Sequence, residues 1–250
     1  MGEHVAVADD ATGVMSFARV RLVATLIADH IRAHPERYPS RRIGVMLPAT
    51  AAFAPLVCAL WLAKKVPVMI NFTLGAKNLR HVLHVSRVSR VITSQRFLER
   101  LGGTVDVSPL TERAELLVFF EDLRAQMYVV DALVARFVRD ASPRAMARRY
   151  ALDDVRRDDE CVVLFTSGST AAPKGVPLSH RNVLANCDAV LRGATFTAAD
   201  VVLGILPAFH SFGFTVTSVL PLIAGGRAAY YPDPTDFRAV AQQVAKWRAS

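Results

Sequence analysis

The 250-residue sequence contains few cysteines, and they form no recognisable pattern. Cys58, Cys161 and Cys187 are odd in number and lack short spacings, so they fit neither a disulfide framework nor a zinc knuckle. Such a chain is expected in a reducing compartment. Its first residues also lack the apolar stretch typical of a signal peptide. We therefore expect a cytoplasmic protein.

Lysine is scarce as well, with only five among the 30 basic residues, so the net charge of +8 comes mainly from arginine. A basic surface suits anionic partners such as a nucleotide, coenzyme A, an acidic carrier protein, anionic lipid or nucleic acid. The arginines are scattered, and no aromatic-interleaved stripe or known binding module accompanies them. Nucleic acid is therefore the weaker alternative, and we expect no nucleic-acid partner.

Long hydrophobic runs are absent except at residues 201–226, where only His210 can carry a charge. A transmembrane helix needs about 20 apolar residues, so the length of this run qualifies. However, Pro207, His210, Ser211 and Gly213 interrupt its centre, and its first half has the composition of a strand. The pattern therefore favours a buried strand–loop–helix over a membrane span.

Apolar runs of strand length alternate with helical patterns through most of the chain. Strands are predicted at 43–47, 66–71, 90–94, 115–120, 161–167, 200–207 and 227–232, and helices at 51–63, 76–86, 179–192, 211–226 and 237–250. Such alternation predicts crossover units and largely parallel sheets covered by helices on both faces. We therefore expect an α/β protein with layered αβα subdomains.

The alternation is interrupted between about residues 122 and 157. One apolar helical stripe is formed by Val129, Val130, Leu133, Val134, Phe137 and Val138. A charged stretch with few large apolar residues follows it. This change of pattern predicts a boundary near residue 150, with a first lobe over 1–150 and a second lobe over 151–250.

The stretch FTSGSTAAPKG (165–175) directly follows a predicted strand. A loop that holds a polyphosphate needs free backbone N–H groups, hydroxyls and a mobile positive charge. These are provided by Thr166, Ser167, Gly168, Ser169, Thr170 and Lys174. Because α/β proteins place ligand sites at the carboxyl ends of their strands, this loop is predicted to bind phosphate.

The loop is not a Walker A loop. That pattern requires Gly-x-x-x-x-Gly-Lys followed by Ser or Thr. Counted from Gly168, the place of the second glycine holds Pro173, and Gly175 follows the lysine. The magnesium-binding hydroxyl is therefore missing, which excludes a P-loop NTPase.

Two stretches of the sequence resemble the signatures of one family. LFTSGSTAAPKGVPLSHRNVLAN (164–186) closely resembles the phosphate loop of the adenylate-forming, or AMP-binding, superfamily, which includes acyl-CoA synthetases, luciferases and nonribosomal peptide adenylation domains. LPAFHSFGFT (206–215) resembles its second signature, at the expected separation. Over residues 40–250 the chain is similar to the acyl-acyl carrier protein synthetase half of bacterial 2-acylglycerophosphoethanolamine acyltransferases, although the His-x-x-x-x-Asp acyltransferase motif is missing.

The resemblance implies an ATP-dependent ligase with Mg²⁺, which converts a fatty-acid carboxylate to an acyl-adenylate. The acyl group then passes to the thiol of acyl carrier protein or coenzyme A. It also implies phosphate binding by Thr166 through Thr170, and catalytic roles for Lys174 and His210. Substrate binding falls to Phe209, His210, Ser211 and Gly213, and no residue is assigned as a metal ligand. Peripheral contact with the cytoplasmic face of the inner membrane is compatible with this reading.

The sequence departs from the family pattern in two respects. Ala171 stands where relatives commonly have glycine, which costs about 1–2 kcal/mol if the backbone there is left-handed. The family's Tyr-Gly-x-Thr-Glu segment, its ribose-binding aspartate and its C-terminal domain with the adenylation lysine are not among the 250 residues. We therefore expect the N-terminal portion of a ligase. The alternative is a truncated, non-catalytic binding or interaction module.

His81 and His84 lie three positions apart on the helix predicted at 76–86. Residues at this spacing share one helix face. A protein zinc site takes at least three ligands, and the sequence offers no third one here. A metal site at these histidines is therefore not expected.

Overall fold

The structure is a computed structural model that describes residues 4–127, 131–166 and 172–250. The strands are β1 (Val5–Asp9), β2 (Gly13–Ser16), β3 (Arg42–Met46), β4 (Val66–Met69), β5 (Val91–Thr93), β6 (Leu117–Phe119), β7 (Glu160–Thr166), β8 (Lys174–Ser179), β9 (Val201–Gly204) and β10 (Arg227–Tyr230). The helices are α1 (Phe17–Ala33), α2 (Phe53–Leu62), α3 (Ala76–Ser86), α4 (Gln95–Gly102), α5 (Ser108–Thr111), α6 (Phe120–Met127), α7 (Asp131–Asp140), α8 (Pro143–Arg149), α9 (His180–Gly193), α10 (Ser211–Phe214), α11 (Leu220–Ala224) and α12 (Phe237–Trp247). Two 3₁₀ turns (Ala114–Leu116 and Leu152–Asp154) and a π-helical turn (Thr215–Val219) complete the described elements.

The larger sheet has six strands in the order β6-β5-β3-β4-β7-β8. Its first five strands are parallel, and β8 is an antiparallel edge strand paired with β7. Helices α1, α2 and α9 supply the apolar side chains that cover one face, including Ile27, Leu56 and Val183. Helices α3 and α4 cover the other face with residues such as Leu79 and Leu98. The predicted layered αβα architecture is therefore confirmed.

The smaller sheet has four strands in the order β2-β1-β10-β9. The N-terminal hairpin of β1 and β2 joins this sheet because β1 pairs in parallel with β10, which in turn pairs in parallel with β9. The carboxylate of Asp9, which is buried at the end of β1, accepts hydrogen bonds from Thr50 Oγ1 and Ala51 N, both at 2.7 Å. This carboxylate therefore ties the smaller sheet to the loop between β3 and α2.

Most predicted elements are confirmed, with boundaries within a few residues. Residues 201–224 form β9, α10, the π-helical turn and α11, so the predicted strand–loop–helix is confirmed. Within the described part of the chain, no helix combines the length and apolarity needed to cross a bilayer. Val129 and Val130 of the predicted helical stripe lie outside the described residues, and α7 contains the rest of it.

The lobe division at residue 150 stays a prediction. Strands from both sides of that position pair within each sheet: β4 pairs with β7, and β1 pairs with β10. Whatever the division of the chain, the elements that carry the predicted site are therefore joined by shared sheets.

Candidate active site

The predicted phosphate loop lies at the carboxyl edge of the six-stranded sheet. β7 ends there at Thr166, and β8 begins there at Lys174 because it runs antiparallel to β7. Thr166 and Lys174 are directly opposite in the strand register, and both are exposed. Opposite residues of an antiparallel pair project from the same face, with Cβ atoms about 4.5–5.5 Å apart. The structure thus places Thr166 and Lys174, which carry a hydroxyl and an ammonium group, side by side at this edge.

The tip of the same loop lies outside the described residues. Ser167, Gly168, Ser169 and Thr170 belong to it, and so does Ala171. Their phosphate contacts, and the cost of alanine at position 171, stay predictions.

The loop ends at Pro173, which is in contact with His81 of α3. The sequence presents this histidine only as a possible metal ligand. His81 Nε2 lies 3.1 Å from the carbonyl oxygen of Pro173, the residue that precedes Lys174. A carbonyl can only accept, so Nε2 carries the proton and donates it. No sequence signal could reveal this contact, because the two residues are 92 positions apart in the chain.

The neighbouring strand β4 ends in a turn that places an aromatic ring at the same edge. Asn71 is buried, and its Oδ1 accepts hydrogen bonds from the amide of Thr73 (2.9 Å) and from its hydroxyl (2.7 Å). Between these two residues, the ring of Phe72 packs edge-on against Phe97 at 4.9 Å and against Phe209 at 5.0 Å. Phe209 comes from the second family signature, so this contact connects that signature to the end of β4, the strand next to β7.

His210 follows Phe209 and lies just before α10. Its amide donates to Pro207 O at 3.1 Å, and its carbonyl accepts from Phe214 N at 2.8 Å. Its ring is 4.5 Å from the ring of Phe209, and the residue is exposed. Ser211 is exposed as well. Both side chains are therefore accessible to a ligand.

Gly213 and Phe209 are buried, so in this structure they contact protein atoms. A Cβ on Gly213 would lie 2.2 Å from Pro207 O and 2.8 Å from Leu206 O. Only glycine allows the loop before His210 to approach α10 so closely. Contact of Phe209 and Gly213 with substrate stays a prediction.

The π-helical turn after α10 holds Gly213 in place through two hydrogen bonds. Thr217 Oγ1 and Ser218 Oγ both donate to the carbonyl oxygen of Gly213 at 2.8 Å. Phe214 is fully buried and packs against the rings of Phe53 and Trp61. Phe214 and Val219, two apolar residues that follow His210, therefore belong to the main core.

The far end of this sheet edge carries a carboxylate. Burial disfavours ionisation of Glu121, but hydrogen bonds from Ser94 Oγ at 2.7 Å and from Gln95 N at 3.1 Å outweigh it. The pKa of the Glu121 carboxyl therefore lies below its ordinary value. The Glu121 carboxylate is therefore negative at neutral pH and repels an anionic ligand. Binding of such a ligand is favoured at the other end of this edge, near Lys174.

A cavity of about 1180 Å³ lies away from this edge. Lys65, Val66 and Glu160 line it, and the last two are the first residues of β4 and β7. A seven-residue strand spans about 20 Å, so the cavity is separated from Thr166 by the length of β7. Its size makes it conspicuous, but it is lined by none of the predicted site residues that the structure describes. The chemistry-bearing side chains favour the carboxyl edge as the candidate site.

Comparison with known proteins places this geometry in a family. The chain matches the AMP-binding enzyme family over residues 1–250. It is 23% identical to a long-chain-fatty-acid–CoA ligase of Escherichia coli O6:H1 over 254 aligned residues, covering 94% of this chain and 45% of that protein. It is 31% identical to a medium-chain-fatty-acid–[acyl-carrier-protein] ligase of Moorena producens over 88 residues, covering 35% of this chain and 15% of that protein.

A solved structure confirms the fold. The o-succinylbenzoate coenzyme A synthetase of Bacillus subtilis, in complex with ATP and magnesium ion, superposes with a TM-score of 0.72 at 17% identity, covering 99% of this chain and 59% of that one. The chain spans about half the length of the long-chain ligase relative. On the family match and the shared fold, this chain belongs to the AMP-binding enzyme family.

Proposed function

We propose that this chain forms the phosphate-binding and acyl-binding part of an ATP-dependent ligase that activates a fatty-acid carboxylate. The observation that carries the proposal is the pairing of Thr166 with Lys174 at the carboxyl edge of the six-stranded sheet. The packing of Phe209 on Phe72 supports it, because this contact holds the His210 segment against the neighbouring strand end.

In the proposed first step, a carboxylate oxygen attacks the α-phosphorus of ATP. The bond from that phosphorus to the oxygen bridging to the β-phosphate breaks, and pyrophosphate leaves with the electron pair. The ammonium of Lys174 and the hydroxyl of Thr166 would stabilise the charge that develops on pyrophosphate. His210 would hydrogen-bond the carboxylate and hold it in line for attack.

In the proposed second step, a thiolate attacks the acyl carbon and AMP leaves. The candidate thiols are those of acyl carrier protein and coenzyme A, and the net charge of +8 suits either anionic acceptor. One relative is named as a ligase of each kind. The resemblance to bacterial acyl-acyl carrier protein synthetases supports the carrier protein, and a parallel assay with the two thiols distinguishes them.

Magnesium has no ligand set among the residues that the structure describes. No group of three or more His, Cys, Asp or Glu side chains there could hold a metal ion. The exposed hydroxyl and ammonium at the loop suit phosphate oxygens instead. We therefore propose that Mg²⁺ enters as the counter-ion of ATP and assign it no protein ligand.

The test is fatty-acid-dependent exchange of labelled pyrophosphate into ATP by a protein that joins this chain to the family segments that are not among its 250 residues. Lys174→Ala and His210→Ala should each lower the exchange rate at least tenfold, because each removes a group proposed to contact the reacting atoms. Two exposed residues provide matched controls, namely Lys64 at the opposite edge of the sheet and His84 on α3. Lys64→Ala and His84→Ala should each leave the exchange rate unchanged. Unchanged exchange in both site variants would refute the assignment of the site.

A second candidate function is a non-catalytic nucleotide-binding module. It is the alternative that the sequence leaves open, and the exposed side chains of Thr166 and Lys174 would suit phosphate in such a module as well. Isothermal titration with ATP and with pyrophosphate separates the two functions. Measured on the joined protein described above, binding with no exchange under any fatty acid supports the module, exchange supports the ligase, and absence of both refutes the two proposals together.

A further inference from the structure

Helix α3 and the turn before it contact both halves of the candidate site. In the turn, which is held by Asn71, Phe72 packs against Phe209, next to His210. In the helix, His81 contacts Pro173, the residue before Lys174. The family signatures contain Pro173, Lys174 and His210, but they do not contain α3.

The contact between His81 and Pro173 fixes a peptide plane. Pro173 is buried and has no N–H of its own, so its carbonyl is the only hydrogen-bonding group of its backbone. A buried carbonyl needs a donor, and His81 Nε2–H supplies one at 3.1 Å. Because the carbonyl of Pro173 and the amide of Lys174 share one planar peptide, this bond also orients the start of β8.

We propose that His81 is a positioning residue for Lys174. By holding the 173–174 peptide, it keeps Lys174 opposite Thr166 at the end of the β7–β8 pair. The proposed role of Lys174 in phosphate binding rests on the function proposed above. The attachment of the loop exit to α3 does not depend on that function.

The experiment compares three variants of the 250-residue chain. His81→Leu removes the donor at similar volume, whereas His81→Gln retains an amide donor at similar reach. His84→Leu is the matched control, because His84 is exposed on the same helix. Amide hydrogen exchange at 174–176 and tryptic cleavage after Lys174 report on the loop exit, and isothermal titration reports the affinity for pyrophosphate.

In His81→Leu we expect exchange and cleavage at the loop exit to be about fivefold faster, as loss of one hydrogen bond predicts. Pyrophosphate affinity should fall by a similar factor, and the unfolding midpoint should change little. His81→Gln should restore values within about twofold, and His84→Leu should match the wild type. A purely structural role would instead raise exchange throughout the chain.

The outcomes separate this inference from the proposed function. Loop protection in His81→Leu equal to the wild type overturns the inference, whatever the nucleotide affinity. A general rise of exchange in that variant, or failure of His81→Gln to rescue, also overturns it. If the loop exit loosens as expected but the wild-type chain binds neither ATP nor pyrophosphate, the anchoring role stands and the proposed ligase function fails.

Discussion

Gly213→Ala is the most informative single substitution at the candidate site. The new Cβ would lie 2.2 Å from Pro207 O and 2.8 Å from Leu206 O, whereas a carbon–oxygen contact is normally about 3.3 Å or more. Both oxygens belong to the backbone and cannot rotate away. Overpacking of this kind costs about 1–3 kcal/mol or more, and alanine recovers up to about 1 kcal/mol of helix propensity. We therefore expect a net loss of about 2 kcal/mol.

Urea unfolding followed by far-ultraviolet circular dichroism measures this loss, and thermal unfolding should show a fall of about 4–8 °C. Gly193→Ala is the matched control. It substitutes the last residue of α9, where no heavy atom lies within 4 Å of the added Cβ. This control should be as stable as the wild type or up to about 1 kcal/mol more stable. A Gly213→Ala protein within about 0.5 kcal/mol of the wild type would refute the close-approach argument.

Three further predictions concern groups outside the candidate site. Burial lowers the pKa of His30, and the charges of His34 and Arg37 lower it further, so the unfolded chain binds this proton more tightly. Stability should therefore be complete above the unfolded pKa of about 6.5 and decline as the pH falls from there towards the folded pKa. Urea midpoints between pH 5 and 8 should show this slope, and His30→Phe should flatten it; an unchanged slope would contradict the assignment. Ser179→Ala should cost about 1 kcal/mol in urea unfolding, because it removes the capping box at the start of α9, and no loss would contradict that role. Cys161 is buried, and burial raises the pKa of its thiol to about 12, so iodoacetamide at pH 8 should modify Cys161 far more slowly in the native protein than in urea. Equal rates would count against burial of this thiol.

Local patterns were sufficient to predict the elements from β3 to β5. Val66–Met69 is wholly buried and apolar, and α3 is amphipathic, so length and periodicity identify both. The hairpin of β1 and β2 was missed because its burial depends on β10, more than 200 residues later. β8 was missed for the opposite reason: it is an edge strand with mostly exposed residues and Pro177, so it has no alternating apolar pattern.

The candidate site was predictable where residue type carries the chemistry. Thr166, Lys174 and His210 stand in recognisable stretches, and the strand order brings the first two together. The contacts that hold these residues were not predictable. His81 reaches Pro173 across 92 positions, and Phe72 reaches Phe209 from another strand end. Such contacts depend on tertiary packing, for which a single sequence gives no local signal.

The parallel pairing of β1 with β10 has a consequence for how the chain is made. The hairpin of β1 and β2 leaves the ribosome more than 200 residues before Arg227–Tyr230, the strand that completes its sheet. At 5–20 residues per second, that interval is about 10–40 seconds, during which one edge of β1 stays unpaired. Unpaired edges promote aggregation, so nascent chains of this protein should depend on chaperones more than their finished stability suggests.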